Sequence, residues 1–468
     1  MTMTSLLFLF VFLPLSLAFY YFSSDSMKDY VLLAVSLLYY SICSIDYFFL
    51  FLLLIIITVT IGRAINRNQT KAKKGLLILG IVINASILIY YKYRYLAFGF
   101  LESTFAFESL LKKMTLPLGI SFFTFKAISY LTDVYKGTAI LADNSVHDAL
   151  YLSFFPQVQS GPLSRYNELT RQSGIDVHLF SDGVFRFLVG FCKKVLIANV
   201  LSKITVEIFN TPFENFSTLY AWMGSICYSF QLLFDFIGYS DMAIGITELF
   251  GYHCMENFNY PYMTESVTKF WRRWHISLGQ WFRDYIYIPM GGSRTKTKWG
   301  VYLNLFVVWF LTGIWHGATW NFAVWGLGYF VVISFERYTN LPGRIKHKWG
   351  RAIYRVLTLL FINFQWVLFN SKDLLYGLEY IRRMIIYHPN ELADLRVAFL
   401  LKDYKFFILA ALLLCFPIVP WIQKMLGGKK TIQTIFEIVI SLIVVASFIW
   451  SVSFVVAGLN NPFTYANF

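Results

Sequence analysis

The chain has 468 residues, of which 57% are hydrophobic and only 14% charged, against about 25% charged in an ordinary soluble domain. A soluble fold of this size cannot bury so much apolar surface, Phe alone occurring 48 times, so the solvent around most of it is lipid. The net charge is +14, but the basic residues gather in short loops between apolar runs, which reads as the bias of cytoplasmic loops and not as a nucleic-acid surface.

The first apolar run, 5–22, lacks a basic region before it and continues through Tyr20, Tyr21 and Phe22. It reads as an uncleaved first span in preference to a signal peptide. Further runs fall at 29–44, 46–62, 75–92, 219–238, 299–314, 318–335, 353–369, 403–421 and 432–456. Between them, 116–132, 148–163 and 183–208 are apolar but interrupted by Gly, Pro and Lys, a pattern of broken or re-entrant helices buried within protein. The expectation is an all-α polytopic protein of about eleven spans, forming a single membrane-embedded domain over residues 1–468. Arg63, Arg67, Lys71, Lys73 and Lys74 mark the loop after the third span as cytoplasmic and so put the N-terminus outside. The five cysteines are scattered, without a CxxC pair, and suggest neither a disulfide framework nor a metal site.

The segment 270–285, FWRRWHISLGQWFRDY, is the most informative. At about 100° per residue, Phe270, Trp271, Trp274, Leu278, Trp281, Phe282 and Tyr285 share one side of a helix, and Arg272, Arg273, Gln280, Arg283 and Asp284 the other. His275 falls on the boundary. This predicts an amphipathic helix in the membrane interface, aromatic side down. It runs into YIPMGGSR, where Pro289 stops the helix, Gly291 and Gly292 allow a tight turn, and Arg294, Lys296 and Lys298 follow, a combination suited to phosphate.

His316 lies in LTGIWHGATWNF between two strongly apolar runs, beside Trp315. An ionisable group at membrane depth is a functional candidate, with interhelical packing as the plainer role. Asp241, in DFIGYSDMAIG, needs a partner in so apolar a segment; an ion pair with one of the arginines of 272–283 is the expected one.

Taken together, LPLGISFFTFKAISYLTDVYKG (116–137), YLSFFPQVQSGPLSRY (151–166), GFCKKVLIANVL (190–201), DFIGYSDMAIG (235–245), the RRWH block, WFLTGIWHGATWNF (309–322) and the closing NPFTYANF resemble the membrane-bound O-acyltransferase family, and within it the bacterial alginate O-acetylase branch. The resemblance implies a multi-pass protein of the bacterial cytoplasmic membrane. It makes His316 the catalytic residue and His275 the second signature position; Asp241, Trp315 and Trp271, read from their own settings, are the supporting candidates. Lys126 stands where Gln is expected and Ile237 where Ser is usual, which bears on the substrate.

Acyl transfer from a thioester to a hydroxyl needs a base, oxyanion donors and exclusion of water. His316 suits the base, and His275 suits orienting the acyl carbonyl, donating to the oxyanion or relaying a proton. Arg272, Arg273 and Arg294 are the candidates for the donor's phosphates. No GxSxG elbow is present. The expected donor is acetyl-CoA, acting as substrate and not as a bound cofactor, with an acyl carrier as the other possibility. The expected partners are a surface polysaccharide, an extracytoplasmic acetyl-transfer protein and membrane lipid. A helix from Trp299 to His316 would rise about 25 Å, which suggests donor from inside and acceptor from outside. D-alanyl transfer to teichoic acid and a polymer exporter without chemistry are the rival readings.

Overall fold

The computed structural model describes residues 1–68, 70–105, 116–169, 176–295 and 297–458; Lys296 and the closing NPFTYANF lie outside them. The described residues form helices and no strand. In chain order the principal helices are α1 (Leu13–Phe22), α2 (Lys28–Cys43), α3 (Phe48–Arg67), α4 (Ala72–Phe105), α5 (Ile120–Lys136), α6 (Ser145–Ser153), α7 (Val177–Cys192), α8 (Asn199–Phe209), α9 (Thr218–Leu249), α10 (Val267–Trp271), α11 (Ile276–Phe282), α12 (Lys298–His316), α13 (Trp320–Thr339), α14 (Lys348–Asn370), α15 (Leu374–Ile385), α16 (Glu391–Leu414), α17 (Ile418–Leu426) and α18 (Lys430–Val456).

Among the described residues, five stretches are long and apolar enough to cross a membrane: Ile45–Arg67, Ala72–Arg94, Trp299–His316, Lys348–Asn370 and Lys430–Val456. The pair α16 and α17, bent by 58°, makes a sixth if it is one broken span. The sequence reading of about eleven is therefore met only in part. The 16 residues of α2 are short for a span. Helix α9 has 32 residues, but its tyrosines, serines, Gln231 and Asp235 dilute its apolar character. Of the interrupted stretches, 148–163 breaks, α6 ending at Ser153 before a single turn at Phe155–Val158; 116–132 turns at Gly119, φ 66°, and then forms the unbroken α5; and 183–208 stays helical, with a π-helical turn, Lys193–Ala198, joining α7 to α8.

The chain's contacts group into two compact units. The first comprises Met1–Phe187 and Ser240–Glu256 among its described parts. Here Tyr20 and Tyr21 donate to the carbonyls of Phe250 and Leu249 at 2.7 and 2.6 Å, tying α1 to the end of α9. Gly183 on α7 and Gly245 on α9 face each other so closely that a methyl group on either would strike the other's carbonyl, as small residues permit between membrane helices. Two cations brace this unit from within. Arg63, half-buried, pairs with the fully buried Asp148 at 2.5 Å. Lys126 donates to Gln157 at 3.2 Å and lies over the Tyr151 ring.

The second unit comprises, among the described residues, Leu188–Tyr239 and the chain from Asn257 onward, and it holds both candidate histidines. Lys194 and Asp235, both buried, pair at 2.5 Å. Asn363 on α14 donates to the Ser225 carbonyl and to Ser229 Oγ of α9 at 3.1 and 2.9 Å. Gln365 on the same helix donates to the Trp325 carbonyl of α13 at 2.9 Å. Each bond satisfies a polar group that lipid cannot while fixing one helix against the next.

Candidate active site

The RRWH segment does not form the single helix expected of it. Helix α10 ends at Trp271, a turn follows, and His275 takes left-handed backbone angles, φ 46° and ψ 53°, before α11 begins at Ile276. A non-glycine residue in that region costs about 1–2 kcal/mol, and Asn257 supplies the compensation. Its carbonyl accepts from Ile276 N–H at 2.9 Å. Its Oδ1 accepts from the Ser277 N–H and hydroxyl at 3.3 and 2.9 Å and faces His275 Nδ1 at 3.1 Å. Side-chain periodicity cannot register a one-residue reversal, so the two-faced pattern survives while the helix does not. Phe270, Trp274, Leu278, Trp281 and Phe282 are buried, and Arg272 and Arg283 are exposed.

His275 is itself buried, not at a boundary. The Ser277 N–H identifies the Asn257 atom as the amide oxygen, which can only accept, so the arrangement calls for a proton on His275 Nδ1 and leaves the lone pair on Nε2. Burial pushes its pKa down to about 3, so the ring is neutral near pH 7. Phe236 meets it edge-on at 4.6 Å.

His316 is the last residue of α12, 3% exposed. Rings of Trp315, Trp325 and Phe369 stand at 4.6, 5.0 and 5.0 Å from it. Trp325 in turn meets Trp271 at 5.7 Å, and Trp271 meets Trp309 of α12 at 4.8 Å. One aromatic wall therefore joins the RRWH segment to the helix that carries His316. The α12–α13 hairpin closes this wall tightly: a Cβ on Gly326 would lie 2.4 Å from the Trp309 carbonyl, and one on Gly313 would lie 2.6 Å from that of Phe322.

Against this wall lies a cavity of about 520 Å³ lined by Trp271, Arg272, His275, Gly279, Trp309 and Thr312, among others, within the size range of ligand pockets. A second cavity, about 590 Å³, shares Thr268, Arg272, Gly279, Arg283, Val308 and Ile333 with the first and adds Lys269 and Arg337. Together they offer an aromatic chamber opening into a cationic one. Neither Arg272 nor Arg337 has a carboxylate partner among the described residues, whereas Lys269 pairs with Glu265 and Arg283 with Asp284.

The structure thus brings Trp271, Arg272 and His275 into one cavity. His316 and Trp315 are not in its lining, but Thr312, one helical turn earlier, is. Arg273 borders a smaller cavity of about 210 Å³ beside Arg272. Arg294 lines none of the three. It follows the turn where Gly291 and Gly292 have φ 101° and 57°, a turn held by Asn304, whose amide donates to the carbonyls of Met290 and Gly292. Asp241 belongs to the first unit and pairs with Arg186 at 3.2 Å, not with the arginines of 272–283. Arg186 also clasps Glu256 with both terminal nitrogens, so the Asp241 carboxylate serves an ion-pair network. Sequence reasoning did not single out Asn257, Trp325 or Arg337. Only Arg337 left a trace, as a cation near the end of an apolar run.

A helical protein with membrane-length spans, a buried imidazole in an aromatic cage and a cation-lined cavity beside it belongs to the class of membrane-embedded group-transfer enzymes. The model of the membrane-bound O-acyltransferase family matches residues 146–385. The probable alginate O-acetylase AlgI of Pseudomonas aeruginosa is 36% identical over 411 residues, covering 85% of this chain and 77% of that protein. The peptidoglycan O-acetyltransferase of Helicobacter pylori is 34% identical over 81% of this chain and 79% of its own length. The teichoic acid D-alanyltransferase of Bacillus subtilis is 30% identical over 54% and 69%. The chain belongs to the membrane-bound O-acyltransferase family. It is a multi-pass membrane acyltransferase, and the exporter reading, which composition alone allowed, gives way.

Proposed function

We propose that the protein transfers an acetyl group from a cytoplasmic thioester, acetyl-CoA, to hydroxyls of an extracytoplasmic polysaccharide, in the bacterial cytoplasmic membrane and together with an extracytoplasmic acetyl-transfer protein. Support for acetyl comes from the relatives named above that share the longest stretches of this chain, which are O-acetylases acting on alginate or peptidoglycan.

The observation that carries the reading is the pairing of a caged His316 with the cation-lined cavity beside its helix. Arg272 and Arg337, both without a carboxylate partner among the described residues, suit the phosphates of a coenzyme, since guanidinium–phosphate contacts are strong and directional. Trp271 and Trp309 suit the apolar acyl end. Helix α12 has 19 residues, a rise of about 27 Å, so its two ends suit opposite faces of a bilayer.

In the reaction, His316 takes the proton of the acceptor hydroxyl as its oxygen attacks the acyl carbonyl carbon. The carbon–sulfur bond then breaks, and the proton returns to the departing thiolate. The surrounding rings keep water from competing as acceptor. His275, with its lone pair on Nε2, suits accepting a hydrogen bond and so orienting a donor group, more than donating to an oxyanion.

The test compares acetate released by mild alkali from envelopes of wild type and His316→Ala, with the protein quantified in the membrane and the modified sugar identified. Acetate is expected to fall by about 100-fold or more, the usual range for loss of a general base. Undiminished acetate in the variant, or D-alanine in its place in the wild type, overturns the proposal.

A further inference from the structure

The geometry points to Glu336 as a positioning residue for this reaction: a buried carboxylate strut that holds α10, and through it Trp271, Arg272 and His275, against the α12–α13 hairpin that carries His316 at its turn. The inference rests on the functional reading above.

Glu336 lies near the end of α13 and is 4% exposed. Its Oε1 accepts from the Val267 N–H and the Tyr354 hydroxyl, each at 2.8 Å. Its Oε2 accepts from the Thr268 N–H at 2.8 Å and the Thr268 hydroxyl at 2.5 Å. Four donors from α10 and α14 thus converge on one side chain of α13. The carboxylate does not replace an absent cap. Ser266 already caps α10 by accepting from the Lys269 N–H at 3.2 Å, and Glu336, from a different helix, takes the two amides that precede it, those of Val267 and Thr268.

A helix of five residues cannot hold itself together in isolation, so α10 depends on what grips it. Besides the ring contacts of Phe270 and Trp271, the segment is held by Glu265 with Lys269 and Arg355, at 2.5 and 3.6 Å. Those side chains are about half exposed, and such pairs hold weakly. Glu336 also lines the cationic cavity with Arg272 and Arg337. The strut therefore sits where the position of α10 and the shape of the donor cavity are set together. Two oxygens, each accepting from an α10 amide, are what a carboxylate supplies; a carboxamide would turn an N–H toward these donors.

Two measurements on the purified full chain and its membranes test this. Hydrogen exchange of the 266–276 backbone reports the grip itself, and the KM for acetyl-CoA reports the cavity. In Glu336→Gln, exchange there is expected to quicken and KM to rise, each about tenfold, with α18 exchanging as in the wild type. Glu336→Asp, which keeps the charge, should recover part of both shifts. A loss of folded protein alone would lower the maximal rate and leave KM unmoved. That outcome, or unchanged exchange at 266–276, overturns the strut. Should the Gln variant fail to accumulate, Tyr354→Phe and Thr268→Val each remove one hydroxyl bond and are expected to move both measurements the same way by less; no movement in either is equally decisive. If wild-type membranes do not use acetyl-CoA, or His316→Ala membranes transfer at the normal rate, the functional reading fails while the exchange result still judges the strut.

Discussion

His275 and His316 are both buried imidazoles, yet their surroundings differ. His316 is enclosed by the rings of Trp315, Trp325 and Phe369. His275 is held by Asn257, which fixes both the proton and the backbone reversal. With its pKa pushed down from the ordinary 6.5 to about 3, His275 refuses a proton that the unfolded chain accepts. Stability contributed by its neutral burial is therefore present above about pH 6.5 and drains away as pH falls toward 3. Replacing it in His275→Gln should flatten the fall in melting temperature between pH 6.5 and 4, measured by thermal scans at several pH values. The same substitution should leave in place any inflection of the transfer rate near neutrality, and disappearance of that inflection would assign it to His275 after all. His316 was legible from its apolar neighbours and the motif around it, as were Trp271 and Arg272. Asn257 was not, because an ordinary polar residue 18 positions away gives no periodic or compositional sign that it braces a histidine.

At the scale of elements, the α12–α13 hairpin is the frame on which the site hangs. Gly313 and Gly326 let the two backbones approach, and Trp309 and Trp325 present their rings to Trp271 as a result. Gly326→Val would drive a branched side chain into the Trp309 carbonyl, an overpacking that typically costs about 1–3 kcal/mol. A lower melting temperature together with weakened acyl transfer is the expected outcome; an unchanged melting temperature would show that the helices separate without penalty. The apolar runs of these two helices were plain in the sequence. The fate of 270–285 was not, because a hydrophobic face persists on either side of a kink and pattern alone cannot separate one helix from two. The span count suffered from a related ambiguity: α9 and α13 bury aromatic and polar side chains against other helices, which makes them less apolar than helices meeting lipid on most sides.

For the molecule as a whole, charge placement separates function from architecture. Arg186 gathers Asp241, Glu248 and Glu256 within its own unit, while Arg272 and Arg337 line a cavity with no carboxylate partner among the described residues. Removing the cation strands the shielded Asp241 and Glu248, while the exposed Glu256 loses little. Arg186→Met is therefore expected to lower the yield of folded protein in the membrane while the surviving fraction keeps its KM for the donor. A raised KM with normal yield would place Arg186 at the substrate instead. The sequence suggested an acid–base pair around Asp241 and a phosphate grip around Arg294; the folded chain pairs the first with a different arginine and leaves the second outside the cavity.

The aromatic wall has an optical consequence. Trp271 and Trp309 stand at 4.8 Å, Trp271 and Trp325 at 5.7 Å, Trp325 and Trp366 at 6.3 Å and Trp274 and Trp366 at 4.9 Å. Indoles this close share their excited states, so the folded enzyme carries its own chromophore. Its near-ultraviolet circular dichroism is an intrinsic signal of that ring packing, by which loss of the wall can be followed without a label.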